Sequence, residues 1–378
     1  MCAYSSQQVH RRRLQGDTLS KFIHTEVNIS RDETKKAVEY VVKKVEAILE
    51  KVCARDPRFG SAFLRSGSYR EKLQVSDSNE FDFLVPLEYL PGLNFYAYSY
   101  CTQDRLLDES YIEVTCNPSP SNTVKAASQP SWERKDVADP FPDMFLLKPD
   151  KIMSTFKKEV NNALDLLNQT DSVYVRRRYQ GNPAVTFTVK FGREEIDVDL
   201  VPFIRNPFPS WPIAWPRPYQ RWPSAIKMEE IRKIGVDLVA KHPTFWRFSF
   251  SRVERFLLED IDSDRGRRKD TLRILKKVRL DRWKPQFGKL LVSYHLKTIL
   301  FWACEKYPNA HDWSDLVVSF ERLLDDLIMS LSKGHLSHYF LGRQVNLFKS
   351  DAESQMRLTD LYKEVNAFKC DAEHFLST

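Results

Sequence analysis

Glycine is scarce in this chain. Eleven residues among 378 are too few for the Gly-rich turns that bring a dinucleotide against a βαβ backbone, and that class is set aside. Cysteine is sparse and scattered. The six residues at positions 2, 53, 101, 116, 304 and 370 form no C-x-x-C spacing, so neither a zinc ribbon nor a thioredoxin-type centre is indicated. Dispersed, reduced thiols fit the cytoplasm, with the nucleus as the alternative. No apolar run reaches the roughly 20 residues that span a bilayer. The opening MCAYSSQQVHRRRLQGD lacks the apolar core of a secretory leader.

What is present is the composition of a globular chain. Hydrophobic residues make up 42%, well above the level of disordered segments, and the length suits two or three domains or lobes. The net charge of +7 is concentrated: residues 263–289 hold eleven Lys or Arg against three Asp and account for the whole excess. Such a stripe suits a polyanionic partner; a solvated helix face is the competing reading.

The periodicity outlines the organisation. Residues 1–29 lack a strong pattern and read as a flexible segment. Ser30 and Glu33 stand in capping-box spacing, and Val38, Val41, Val42, Val45, Ile48, Leu49 and Val52 then recur at helical spacing until Asp56-Pro57. Strands are expected near 61–65, 73–75, 80–87, 183–191 and 195–203, with a helix over 150–168. Residues 115–140 read as a polar surface loop. Seven prolines and three tryptophans in 202–223 exclude regular helix and central sheet. That segment reads as a rigid connection, or else as a proline-rich ligand, with the interleaved Trp residues favouring burial. The expected division is a core with a long spine helix over 30–205, a connection over 206–223 and a helical lobe over 224–378.

Two stretches carry chemistry: GSYREKLQVSDSNEFD over 67–82 and EEIDVDLVPF over 194–203. Alternation along a strand puts Glu80 and Asp82 on one face and Phe81 and Phe83 on the other. In the second stretch Asp197 and Asp199 oppose Ile196, Val198 and Leu200. Carboxylates gathered on one sheet face repel one another unless a cation neutralises them, and hard oxygen ligands suit Mg²⁺ or Mn²⁺. Two such ions beside phosphate-binding groups can run in-line nucleotidyl transfer. The amides of Gly67 and Ser68 and the Ser68 hydroxyl are candidates to hold a triphosphate.

On these residues the chain resembles the nucleotidyltransferases of the Mab (male-abnormal) family, in the branch of the cGAS-like receptors. GSY…NEFD, GNPAVTFTV over 181–189 and IDVDL over 196–200 resemble the catalytic-strand motifs. FWRFSFSRVERFLLE over 245–259 resembles the start of the helical lobe. SYHLKTILFWACEKYP over 293–308 and HYFLGRQVNLF over 338–348 resemble its later helices. The resemblance implies an α/β fold of two lobes: a mixed twisted sheet with a spine helix, and a C-terminal helical lobe. It implies that Glu80, Asp82 and Asp199 are the catalytic carboxylates holding two Mg²⁺ or Mn²⁺ ions, with Asp197 beside them. It places Gly67 and Ser68 on the donor triphosphate, Arg247, Ser249 and Ser251 on bases and phosphates, Lys276 and Ser293 on phosphates, and Tyr294 under a nucleobase. Without the resemblance, Tyr294 reads as core and Arg247 as an ordinary surface cation.

The pattern departs from vertebrate cGAS at one place. A His/Cys zinc insertion follows the segment resembling FSRVERFLLE there; here the stretch is LLEDIDSDRGRRKDTL, without His or Cys, and no zinc is expected. That insertion supports DNA binding and dimer contacts, so neither DNA sensing nor an oligomeric state carries over. The expectation is a cytoplasmic enzyme of innate immune sensing that joins ATP and GTP, or other NTPs, into a cyclic dinucleotide. Double-stranded RNA or another polyanion would activate it by shape and backbone charge. The expected platform is Lys35, Lys36, Lys43 and Lys44 on the first helix with Arg265, Arg267, Arg268 and Lys269; Arg176, Arg177 and Arg178 add a further basic knot. Binding would order residues 69–79. The alternatives are a non-catalytic Mab-family binding protein and a linear polymerase of the oligoadenylate or poly(A) type, which lacks the later helical motifs.

Overall fold

The computed structural model describes residues 13–28, 31–75, 80–97, 108–118, 131–170, 175–178 and 184–377. In chain order the first elements are α1 (Gly16–Phe22), α2 (Arg31–Arg55), β1 (Leu64–Ser66), α3 (Gly67–Arg70), β2 (Glu80–Pro86), β3 (Leu93–Ala97), β4 (Tyr111–Cys116), β5 (Ala138–Phe141) and β6 (Met144–Leu147). Then come α4 (Pro149–Thr170), β7 (Val175–Arg178), β8 (Val185–Phe191), β9 (Glu194–Ile204), α5 (Ala225–Ile234), β10 (Asp237–Val239), β11 (Trp246–Ser249) and α6 (Ser251–Glu259). The rest are α7 (Arg268–Val278), α8 (Lys284–Phe287), α9 (Ser293–Lys306), α10 (Leu316–Ser332), β12 (Ser337–His338), β13 (Gly342–Asn346), α11 (Ala352–Cys370) and α12 (Ala372–Ser377).

The chain divides into two compact units, one over 30–217 and 224–259 and one over 1–29, 218–223 and 260–378. The first unit holds a mixed sheet in the order β1-β2-β9-β10-β11-β4-β6-β5, with β3 on β4 and β7 on β8, which pairs β9. Its core forms where α2 and α4 lay their apolar stripes on the sheet. Val41, Val45, Leu49 and Val52 of α2 and Phe156, Val160 and Ala163 of α4 are fully buried with Val198 and Leu200 of β9. The helical spacing read in 38–52 is therefore the stripe that meets the sheet, as the alternation in 196–200 is the sheet's answering face.

Several expectations are corrected. Residues 73–75 are not a strand: α3 is followed by a turn in which the Leu73 amide donates to the Ser68 carbonyl at 2.8 Å, and Leu73 and Val75 bury their side chains from irregular backbone. Residues 115–140 are not simply a surface loop. Thr115 and Cys116 complete the buried end of β4, and Trp132 is buried with its indole N–H on the Glu88 carbonyl at 3.0 Å; residues 119–130 lie outside the described ones. Pro202 lies within β9, opposite Val85. The β8 ladder ends at Val185 opposite Leu200, so Pro202 removes no amide from that pairing. The segment 245–259 packs with the sheet-bearing unit, because β11 pairs β4 and β10 and the Trp246 indole donates to the Leu147 carbonyl at 3.0 Å.

The second unit is mainly helical. α9 buries Leu296, Ile299, Leu300 and Phe301, and α10 buries Phe320, Leu323, Leu324 and Leu327. Trp222 stacks on Phe301 at 6.0 Å and meets Tyr339, so that tryptophan of the proline-rich segment is a packing residue. Among the described residues no helix is long and apolar enough to cross a membrane.

Candidate active site

The pairing of β2 with β9 is parallel and in register: Glu80 faces Asp197 and Asp82 faces Asp199 across the strands. One ligand atom from each of Glu80, Asp82 and Asp199 lies within 4.8 Å of the others. Glu80 is exposed and the two aspartates are half-buried. Phe81 and Phe83, on the opposite face of β2, and Ile196, Val198 and Leu200 of β9 enter the core. Burial under the sheet thus fixes which way the acids turn. Asp199 has its carboxyl raised above the ordinary value, first by burial and then by the charge of Asp197, against the pull of the Thr186 hydroxyl. An all-oxygen donor set whose charges oppose one another fits a hard divalent cation.

Gly67 is built into this cluster. Its φ is +77°, where glycine carries no steric penalty. A Cβ there would sit 2.0 Å from Asp82 Oδ2. β1 runs antiparallel to β2 with Ser66 opposite Asp82, so the chain turns into α3 beside that carboxylate. Gly67 and Ser68 form its first two positions. Sequence reasoning missed two residues. Thr186 lies opposite Asp199 and its hydroxyl donates to Asp199 Oδ1 at 2.5 Å; Thr188 lies opposite Asp197 and donates to Asp197 Oδ1 at 2.6 Å. The alternation in VTFTVKF puts both threonines on one face, but which aspartate each one meets is set by the β8–β9 register.

The other expected nucleotide contacts are spread over both units. Arg247 on β11 pairs with Val239, itself paired with Phe203 further along β9 than Asp199, and its guanidinium lies over Tyr111 at 5.7 Å. Ser249 and Ser251 approach each other, Oγ to Oγ at 3.3 Å. In the helical unit, Ser293 opens α9, Tyr294 Oη is 3.0 Å from His338 Nε2, and Lys276 is buried along α7.

The expected nucleic-acid residues divide sharply. Lys35, Lys36 and Lys43 are exposed on α2 among Glu39, Glu46 and Glu50, and Lys44 lies over Tyr40 at 5.5 Å. Arg265 is exposed. Arg267 is exposed and reaches Asp270 at 3.3 Å. Lys269 is half-buried, with its amide held by Asp262. Arg268 is corrected: its side chain is 3% exposed and is consumed internally. It donates to Asp264 at 2.7 and 2.9 Å and to the Ile261 carbonyl at 2.9 Å, over the Trp313 ring at 5.1 Å. Asp262 accepts from the Arg268 and Lys269 amides, both at 2.9 Å. The stretch 260–268 is therefore closed by an ion-pair knot at the start of α7.

A mixed sheet that sets three carboxylates beside a Gly-Ser turn, followed by a helical unit, is the architecture of a nucleotidyltransferase. The chain matches the Mab-21 protein nucleotidyltransferase domain over residues 69–260 and the Mab-21 protein HhH/H2TH-like domain over 267–367. It belongs to the Mab-21 family. It is 29% identical over 363 residues to "Protein mab-21-like 3" of Danio rerio, covering 88% of this chain and 92% of that one. It is 28% identical over 352 residues to "Cyclic GMP-AMP synthase" of Sus scrofa, covering 86% of this chain and 66% of that one. The match to "Cyclic GMP-AMP synthase" of Mus musculus is 28% over 363 residues, 90% of this chain and 66% of that one.

Proposed function

We propose that this protein is a divalent-metal-dependent nucleotidyltransferase that joins two NTPs, ATP and GTP among the candidates, into a cyclic dinucleotide. The observation that carries the reading is the convergence of Glu80, Asp82 and Asp199 within 4.8 Å beside Gly67. Bound Mg²⁺ or Mn²⁺ would neutralise the α-phosphate and lower the pKa of the attacking ribose hydroxyl. The three carboxylates hold the cations. Gly67 and Ser68 offer their amides and a hydroxyl to the donor's phosphates. A ribose hydroxyl attacks the α-phosphorus, the P–O bond to pyrophosphate breaks, and the hydroxyl proton passes to solvent or to Asp199. A second transfer closes the ring. Lys276, Ser293 and Tyr294 are carried as nucleotide contacts by similarity to the family.

Double-stranded RNA is the proposed activator, in the cytoplasm, with Lys35, Lys36, Lys43, Arg265, Arg267 and Lys269 as the cations offered to its backbone. The ordering proposed for 69–79 falls partly on residues 76–79, which lie outside the described ones. The test is a panel of radiolabelled NTPs with Mg²⁺ or Mn²⁺ and with duplex RNA, duplex DNA or no nucleic acid, read by chromatography after nuclease and phosphatase digestion. A phosphatase-resistant product is expected with duplex RNA, falling to background in Asp82→Asn and Asp199→Asn. Synthesis retained in both variants would sink the assignment. The chain is as similar to "Protein mab-21-like 3" as to "Cyclic GMP-AMP synthase", and a second reading is a family member that binds ligands without turnover. Metal-dependent nucleotide binding with no product in any arm would select it.

A further inference from the structure

The two threonines on β8 stand in the same relation to two aspartates on β9. Each lies directly across the strand pair from its aspartate, and each donates its hydroxyl to that residue's Oδ1. The rungs differ in one respect: Asp199 belongs to the three-carboxylate cluster, and Asp197 does not. We propose that Thr186 is a positioning residue for the metal site, fixing the carboxylate plane of Asp199 so that its second oxygen is aimed at the cation. This rests on the metal-site reading above.

The physical argument is conformational. An aspartate's terminal torsion is broad and roughly two-fold, so a half-buried carboxylate held by nothing samples orientations that turn both oxygens away from a ligand position. A threonine in a strand is stiff at χ1 and its hydroxyl has one proton to give. With that proton committed to Oδ1, rotation of Asp199 costs a hydrogen bond to a charged acceptor. Oδ2 is the oxygen that the Thr186 hydroxyl does not engage, and Asp82 is the cross-strand neighbour of Asp199 on the other side. The row Ser66, Asp82, Asp199, Thr186 is continuous in register across β1, β2, β9 and β8, so the hydroxyl acts from the side opposite Asp82. The Thr188–Asp197 rung, one pleat along, stabilises the strand pair without bearing on the cation.

The matched rungs supply their own control. Thr186→Val and Thr188→Val each remove one hydroxyl at near-constant volume from the same strand and face. Mn²⁺ binding to the full chain is measured by electron paramagnetic resonance, without nucleotide, and thermal melting is measured on each variant. Thr186→Val is expected to weaken Mn²⁺ binding by about 10-fold or more, the usual effect of losing a group that orients a ligand. Thr186→Ser should restore it and Thr188→Val should bind as the unaltered chain does. Unchanged affinity in Thr186→Val overturns the proposal, as does equal loss in both valine variants, which would mark a general loosening of the strand. Because no nucleotide is present, binding that follows this pattern in a protein with no synthetic activity would uphold the positioning role while removing the enzyme reading. Absence of Mn²⁺ binding, or binding unchanged in Asp199→Asn, would overturn the metal site and this role together.

Discussion

A methyl group at position 67 meets two obstacles at once, the positive φ of +77° and the oxygen of Asp82 2.0 Å away. Gly192 has the first without the second: its φ is +62° and a Cβ there would meet nothing within 4 Å. The pair separates backbone strain from damage to the site. Gly192→Ala should cost about 1 kcal/mol by urea unfolding, the strain of an L-residue in that region, and leave metal-dependent synthesis intact. Gly67→Ala should cost about 1–3 kcal/mol and displace the Asp82 carboxylate, bringing synthesis to background while the circular dichroism spectrum stays native. Wild-type synthesis in Gly67→Ala would remove Asp82 from the chemistry.

At the scale of elements, charge that reads as a nucleic-acid platform is partly spent on structure. Besides Arg268, the window uses Arg279, which donates to the Leu291 carbonyl at 2.6 Å, and Arg273, which donates to the Val27 carbonyl at 3.1 Å. Lys277 pairs with Asp281 at 3.1 Å, and Arg282 lies over the Phe375 ring at 3.6 Å. Removing one partner from a buried ion pair costs about 3–5 kcal/mol, so Arg268→Ala should lower the free energy of unfolding, measured in urea, by about the lower end of that range, since Asp264 is partly exposed. Arg265→Ala should leave that free energy in place and weaken duplex RNA binding, with a shallower salt dependence; the reverse assignment of effects would overturn this division. The contrast shows what was legible in the sequence. The α2 stripe and the acids of β2 and β9 could be read because one face of each is core and period alone decides which. The fate of Arg268 could not, since it depends on Asp262 and Asp264 folding back in a loop and on Trp313, 45 residues further along the chain. The threonine rungs required the β8–β9 register, which no single strand's alternation contains.

At the scale of the whole molecule, the proposed activity sets stability against function. Holding Asp199 half-buried near Asp197 raises its carboxyl above the ordinary value, so in the metal-free fold its ionised form is less favourable than in the unfolded chain. The sign follows. Below the unfolded carboxylate value, about 3.9, the group is protonated in both states and costs nothing. As pH rises through that value to the raised folded one, the unfolded chain ionises first and folding stability is lost, until the folded group has ionised too. Asparagine keeps an oxygen for the Thr186 hydroxyl and carries no charge. Asp199→Asn should therefore melt higher than the unaltered protein at pH 7 in chelator, and the gap should close as pH falls toward the ordinary carboxylate range. Mn²⁺ reverses the order. A ligand at 100 times its Kd stabilises by about 2.7 kcal/mol, a gain open to the intact carboxylates and denied to the asparagine variant. Scanning calorimetry of both proteins with chelator and with Mn²⁺ checks the crossing. A lower melting temperature for Asp199→Asn in chelator at pH 7, or an equal Mn²⁺ shift in both proteins, would show that the carboxylates are held for the fold and not for a cation.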